Sequence, residues 1–169
     1  MRKLTHMLLA GTLILACSSC GVETTANYQV IPLPQEVALS QESPFKLNAG
    51  TIIAYPENNA LLKRNAEFLA EYISQSTGRT LQTEALAPGA EAPKGAITLG
   101  LDPAIGNREG YVLTVKADRV TLNGQTENGV FYGIQTLRKS IPSQTIASSI
   151  LLPAGTIQDE PRFSYRGMH

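Results

Sequence analysis

The feature that most constrains this fold is the segment from Tyr111 to Leu122, in which apolar side chains alternate on both sides of a turn. Tyr111, Leu113 and Val115 occupy every second position, and Val120 and Leu122 resume the pattern after the letters KADR. Because successive side chains of a strand point to opposite faces, the alternation predicts a β-hairpin with one buried face. Another element must cover that face.

Two helical segments are predicted to supply this cover. The first lies between a capping asparagine, Asn58 or Asn59, and Gly78, which stands where a C-terminal glycine belongs. The second follows the hairpin over 126–141. In both, apolar residues recur at the spacing of one helix face. They are Leu62, Ala66, Leu69 and Ile73 in the first helix, and Val130, Ile134, Leu137 and Ile141 in the second.

Short β-prone runs make up most of the remaining sequence. The predicted fold class is α+β: one mainly antiparallel or mixed sheet with two helices packed on one face. A doubly wound nucleotide-binding fold would need regular strand–helix alternation and a glycine-rich phosphate loop, and the sequence has neither. The β-prone runs are 36–39, 45–47, 51–55, 80–85, 96–101 and 149–159.

The amino end has the pattern of a targeting segment. Basic residues precede the apolar run Leu8–Ala16, which is too short to span a bilayer comfortably. The cysteine that follows resembles a bacterial lipoprotein cleavage site, with Cys17 as the lipidated residue and Cys20 as the alternative. An ordinary secretory signal is the other interpretation. We expect 1–20 to be signal peptide and anchor region, 21–27 a tether, and the mature protein an exported lipoprotein, anchored to a membrane in the periplasm or at the cell surface.

Charge and composition exclude several kinds of site. Lys plus Arg equals Asp plus Glu, at 14 each, with no basic stripe, so nucleic acid is not an expected partner. The histidines are His6 and His169, and the cysteines are Cys17 and Cys20. The residues between Cys20 and His169 therefore offer no Ser-His-Asp triad, histidine metal site or cysteine nucleophile. We expect no catalytic residue and no metal ligand there.

The acidic residues have a structural interpretation that we prefer to a catalytic one. Asp159 and Glu160 are adjacent. On an extended chain their side chains point to opposite faces, so they are poorly placed to serve one substrate atom as an acid–base pair. Solvated linker charges are the simpler interpretation, and Asp102 is interpreted as a turn residue.

Two glycines in the second helix indicate close packing. Gly129 and Gly133 flank Tyr132, and a glycine inside a helix costs about 1 kcal/mol relative to alanine. Such a glycine is typical of a helix that lies tightly against a sheet. A ligand-binding role is the alternative.

The last residues, EPRFSYRG, place Arg162 and Arg166 on one face if the segment is extended, with Phe163 and Tyr165 on the other. A guanidinium offers a rigid fork of donors suited to adjacent hydroxyls or to a carboxylate. Taken alone, the motif favours two surface arginines over a binding role.

Three stretches carry a resemblance to a known family: VIPLPQEV, EGYVLTVKADRVTLNGQTENGVFYGIQTLRK and IQDEPRFSYRGMH. Together they resemble the amino-terminal, non-catalytic domain of glycoside hydrolase family 20, the β-N-acetylhexosaminidases. The resemblance implies an accessory domain over 28–158. It also implies that 159–169 are the junction and first strand of a (β/α)8 barrel, so that the chain carries a carboxyl-terminal stub of that barrel.

Members of that family remove terminal N-acetylhexosamine from glycans with retention, and the substrate's own acetamido oxygen is the nucleophile. The resemblance implies no cofactor, an Asp-Glu pair in the barrel, and Arg166 as a residue that binds hydroxyls of the terminal sugar. Arg162 matches a junction arginine that we interpret as structural. The implied partners are N-acetylhexosamine-containing glycans, bound through the missing barrel, the protein's own barrel, and a membrane reached by the lipid anchor. The sequence ends before the Asp-Glu pair, so we expect these residues alone to be inactive.

Two alternatives stay open at this point. A free-standing lipoprotein domain could bind a partner or a carbohydrate without catalysis. A different glycosidase could carry the same accessory domain before another barrel, although the RFSYRG motif argues against this.

Overall fold

The hairpin predicted from the alternating pattern lies inside the larger of two sheets. In this computed structural model, residues 23–143 and 148–163 are described. They form ten strands and two helices, which are β1 (Glu23–Thr25), β2 (Glu36–Leu39), β3 (Phe45–Leu47), β4 (Ile52–Pro56), α1 (Ala60–Thr77), β5 (Gln82–Leu86), β6 (Ala96–Leu101), β7 (Tyr111–Lys116), β8 (Arg119–Gly124), α2 (Glu127–Ser140), β9 (Ser149–Leu152) and β10 (Gly155–Asp159).

The larger sheet has seven strands in the order β2-β10-β7-β8-β6-β4-β5. The hairpin pairs Tyr111 with Gly124 and Lys116 with Arg119 in antiparallel register. Strands β10 and β2 extend it antiparallel on one side, whereas β6, β4 and β5 add in parallel on the other. The fold is therefore α+β with a mixed sheet, as the sequence predicts.

Both helices cover one face of this sheet. Helix α1 contacts β4, β5 and β6, helix α2 contacts β6, β7 and β8, and the helices contact each other. Asn59 caps α1, since its side chain accepts hydrogen bonds from the backbone N–H groups of Leu61 and Leu62. Gly78 ends the helix with φ of 70°, a left-handed conformation that favours glycine. Within the described part of the chain, no helix is long and apolar enough to cross a membrane.

The tight packing predicted for the second helix is confirmed. A Cβ atom built on Gly133 would lie 2.9 Å from Cδ2 of Tyr111 and even closer to Cδ1 of Leu122. A Cβ on Gly129 would collide with the backbone carbonyl of Gly110. Only glycine lets α2 lie this close to the hairpin, so the structural interpretation of both residues holds.

The structure differs from the prediction by a second, three-stranded sheet in the order β1-β9-β3. It includes Glu23–Thr25, which the sequence assigns to the tether, and Ala26 beyond them is buried. The pairing was not evident because β1 lies parallel to β9, far along the chain. Pro153 and Ala154 then lead from β9 into the larger sheet, where β10 begins at Gly155 with φ of 154°.

One hydrophobic core joins both helices to both sheets. Side chains from both helices and from both sheets belong to the same buried cluster, including Phe45 and Ile150 of the smaller sheet and Leu113 and Leu122 of the hairpin. The smaller sheet is thus an integral part of the domain.

Candidate functional site

A cavity lies where the described chain leaves the larger sheet, and we name it the junction pocket. It has a volume of about 610 Å³. Its walls come from the leading segment before β2, the start of β7, one side of α2 and the residues after β10. The lining residues are Val30, Pro32, Leu33, Glu109, Tyr111, Tyr132, Gln135, Thr136, Lys139, Asp159, Glu160, Pro161 and Arg162.

The inner wall of the pocket contains a buried hydrogen bond between two uncharged side chains. The Tyr111 hydroxyl lies 2.6 Å from Oγ1 of Thr136, and both residues are buried. Burial raises the pKa of Tyr111 to about 12, and the negative charge of Asp159 acts in the same direction. Tyr111 therefore stays protonated at neutral pH and acts as a structural hydrogen-bonding group.

Hydrogen bonds hold the segment before β2 against the residues at the end of β10. The backbone N–H of Gln35 donates to Oδ1 of Asp159 at 3.2 Å, and Nε2 of Gln35 donates to the Glu160 carbonyl at 2.7 Å. On α2, Nζ of Lys139 donates to the Ile31 carbonyl at 2.7 Å. These bonds fix the outer walls of the pocket relative to one another.

The acidic residues make structural contacts, although Asp159 is the last residue of β10 and not the linker charge expected from the sequence. Asp159 is engaged with the Gln35 backbone, and Glu160 is exposed. Oδ1 of Asp102 accepts a hydrogen bond from the backbone N–H of Ala104 at 2.9 Å, the pattern of an Asx turn. A second cavity of about 460 Å³ shares Tyr111, Asp159 and Glu160 with the junction pocket. None of these contacts brings two carboxylates together as an acid–base pair.

The site residues singled out in the sequence fall partly outside the described ranges. Arg162 lines the junction pocket and is exposed. Arg166, Tyr165, Cys17 and Cys20 lie outside the described residues, so their proposed roles stay predictions. The first barrel strand predicted for 159–169 is likewise not described as a whole: Asp159 ends β10, and 160–163 have no regular structure.

The structure adds pocket residues that the sequence did not reveal. Glu109 accepts a hydrogen bond from the Tyr132 hydroxyl at 3.3 Å, and Leu33 and Lys139 also line the pocket. The EGY letters around Glu109 were the one available signal, because they opened the longest stretch that carried the family resemblance.

The chemistry of the pocket is hydrogen bonding and apolar contact. Residues 23–143 and 148–163 contain no histidine and no cysteine. Within those same ranges, no group of three or more His, Cys, Asp or Glu side chains is arranged to hold a metal ion.

Comparison with known proteins identifies relatives of the whole domain. Residues 27–160 match the family described as glycosyl hydrolase family 20, domain 2. A β-hexosaminidase of Porphyromonas gingivalis is 35% identical over 151 residues, which cover 86% of this chain and 19% of that protein. This chain therefore spans about a fifth of the length of that curated relative.

Solved structures share the fold. The family 20 β-N-acetylhexosaminidase of Streptomyces coelicolor A3(2) superimposes with a TM-score of 0.68 at 29% identity, covering 82% of this chain and 27% of that one. The N-acetyl-β-hexosaminidase of Streptomyces plicatus, solved in complex with Thio-NAglucal, superimposes with a TM-score of 0.66 at 28% identity and the same coverage.

Proposed function

Because the chain belongs to glycosyl hydrolase family 20 and contains that family's domain 2, we propose that it is the accessory part of a β-N-acetylhexosaminidase. The complete protein would hydrolyse terminal non-reducing N-acetylhexosamine residues of glycans. The match over residues 27–160 is the observation that carries this proposal. The similarity to the β-hexosaminidase of Porphyromonas gingivalis supports it.

The proposed mechanism is substrate-assisted hydrolysis with retention of configuration. In this scheme the acetamido oxygen of the substrate attacks the anomeric carbon, and a carboxylic acid protonates the leaving oxygen. A barrel that follows Phe163 would supply that acid within an Asp-Glu pair. Arg166 would donate hydrogen bonds to hydroxyls of the terminal sugar, and its guanidinium fork suits such a pair of acceptors. The chemistry requires no cofactor.

The proposed location is a bacterial membrane surface, in the periplasm or at the cell surface. The apolar run before Cys17 supports export and lipidation at that residue, with Cys20 as the alternative. A lipid-modified terminus would hold the enzyme at the membrane surface without spanning the bilayer. Mass spectrometry of the mature amino terminus distinguishes the two cysteines.

The experiment that tests the enzymatic proposal compares two polypeptides on a chromogenic N-acetylglucosaminide. The product of the complete reading frame is expected to turn the substrate over, and residues 1–169 alone are expected to show no turnover. In the active protein, Arg166→Ala should lower kcat/KM by roughly tenfold to a hundredfold, because hydrogen bonds to a charged donor are worth about 1.5–3 kcal/mol.

The outcomes separate the proposal from its alternative. Turnover by residues 1–169 alone would show that the proposed barrel is not needed. A complete product without any hexosaminidase activity would favour the non-catalytic lipoprotein that binds a partner or a carbohydrate.

A further inference from the structure

We propose that one end of this domain rests on the lipid surface and that the domain holds the chain after Phe163 on the side away from the bilayer. The membrane-facing end consists of the smaller sheet and the turns 48–51 and 116–119, and we name it the β1 end. The opposite end, where β10 finishes, is named the Asp159 end. The inference rests on the proposed lipid anchor and adds the orientation in which that anchor holds the protein.

The connection between the proposed anchor and the folded domain is short. Strand β1 begins at Glu23, six positions after Cys17 and three positions after Cys20. A polypeptide advances at most about 3.6 Å per residue, so these two connections reach no farther than about 22 Å and about 11 Å. Because a lipid-modified residue lies at the bilayer surface, Glu23 must stay within that reach of the headgroups.

Strand β1 is fixed to the domain from its first residue. Oε1 of Glu23 accepts a hydrogen bond from the Ser149 hydroxyl at 3.1 Å and lies 2.5 Å from Nζ of Lys46. The backbone of β1 pairs with β9, and the N–H of Ala26 donates to the Leu151 carbonyl at 2.8 Å. The point at which the chain joins the domain is therefore rigid, so a short connection to the lipid restrains the whole domain and not only its first residues.

The strand pairing places the smaller sheet and Asp159 at opposite ends of the larger sheet. Strand β3 leads into β4 through a turn in which the N–H of Thr51 donates to the Asn48 carbonyl at 3.1 Å, and β9 leads into β10 through Pro153 and Ala154. Strands β4 and β10 run in the same direction, so the smaller sheet lies beside the end where both begin. Strand β10 finishes at the other end, and the six residues of β6 make the two ends about 20 Å apart.

The charges at the two ends favour the same orientation. Acidic residues outnumber basic ones in the connections at the Asp159 end, which carry Glu57, Asp102, Glu109 and Glu127 against Arg108, and Asp159 and Glu160 against Arg162. The connections 87–95 and 116–119 at the β1 end carry Lys94, Lys116 and Arg119 against Glu91 and Asp118. An anionic lipid surface attracts basic side chains and repels acidic ones within about one Debye length, roughly 10 Å. The β1 end is therefore the end that an anionic bilayer tolerates better.

The test measures the height of each end above the bilayer. The product of the complete reading frame is reconstituted in vesicles of phosphatidylethanolamine and phosphatidylglycerol. A fluorescent amino acid replaces Ala49 or Ala117 at the β1 end, or Ala104 at the Asp159 end, and all of these alanines are exposed. Energy transfer to acceptor lipids reports the distance of each probe from the bilayer. We expect the probes at positions 49 and 117 to lie closer to the bilayer than the probe at position 104 by about 20 Å, the length of β6.

A longer connection supplies the matched control. A glycine–serine segment of about 20 residues, inserted between Val22 and Glu23, adds roughly 25 Å of reach without replacing any residue of the domain. We expect this insertion to remove most of the height difference between the two ends. Far-UV circular dichroism verifies that each variant is folded, and hexosaminidase activity is measured on the same samples.

Several results would overturn the orientation. Equal heights at the three positions would do so, as would a probe at position 104 that lies nearest the bilayer, or a height difference that the insertion leaves unchanged. Protein that does not float with the vesicles would overturn both the proposed anchor and the orientation. An active, vesicle-bound protein with equal heights defeats only the orientation, whereas an inactive protein with the expected heights defeats only the proposed enzymatic function.

Discussion

Tyr111 of β7 belongs to the core and lines the junction pocket, and helix α2 supplies much of its environment. The alternating pattern predicts that its side chain points inward, and it is buried. Its hydrogen-bond partner Thr136 lies on α2, and Gly133 on the same helix makes room for its ring. The sequence predicts the orientation of the ring but not the partner of its hydroxyl, because that partner depends on how the helix is placed on the sheet.

The raised pKa of Tyr111 predicts a loss of stability at high pH. The folded-state pKa of about 12 exceeds the unfolded value of about 10, so the folded state holds the proton more tightly. This contribution is complete below pH 10 and is lost as the pH rises towards 12. We expect the free energy of unfolding to fall in that window, and Tyr111→Phe to make the fall less steep. Urea unfolding at several pH values measures it, and an unchanged slope in the variant would contradict the assignment.

At the scale of elements, the predictions succeed where the signal is local. Helix α1 begins after Asn59 and ends at Gly78, as its capping residues indicate, and β6 occupies the predicted run. Strand β1 has no such signal: it has three residues, and its pairing depends on β9. The sequence of a short polar strand of this kind looks like that of a tether, because only the partner strand shows that it is paired in a sheet.

Truncation tests the role of β1. Removing residues 1–22 should leave the stability of the described domain unchanged. Removing residues 1–27 also deletes β1 and the buried residue Ala26. The backbone N–H groups of Ala26 and Asn27 donate to Leu151 and Ser140, and each such bond is worth about 0.5–1.5 kcal/mol. We therefore expect the longer truncation alone to lower the urea midpoint. Equal midpoints would mean that β1 contributes nothing.

At the scale of the whole molecule, the two sheets depend on one core. Leu47 of β3 is fully buried in the cluster that also contains the hairpin and both helices. A core shared in this way predicts cooperative unfolding of the smaller sheet with the larger one. The fold also places the segment before β2 beside the residues that end and follow β10. The junction pocket lies where these two parts of the chain meet.

Leu47→Ala tests this cooperativity. A buried leucine replaced by alanine costs about 2–5 kcal/mol, so the unfolding midpoint should fall while the transition stays single. Circular dichroism and tyrosine fluorescence are suitable probes because the chain has no tryptophan, and their transitions should coincide. Leu61→Ala, at an exposed site, is the control and should change stability by less than about 0.5 kcal/mol. Separate transitions in the variant would show that the smaller sheet is an independent unit.

The amino-acid sequence by itself determined the hairpin, the two helices with their ends, the α+β class and the family, because each depends on local periodicity, capping residues or contiguous motifs. Only the tertiary structure decided that Glu23–Thr25 form a strand, that Thr136 is the partner of Tyr111, and that Gln35 holds Asp159 and Glu160. These are contacts between residues distant along the chain. No local pattern encodes them, since they arise when separately formed elements pack on one core.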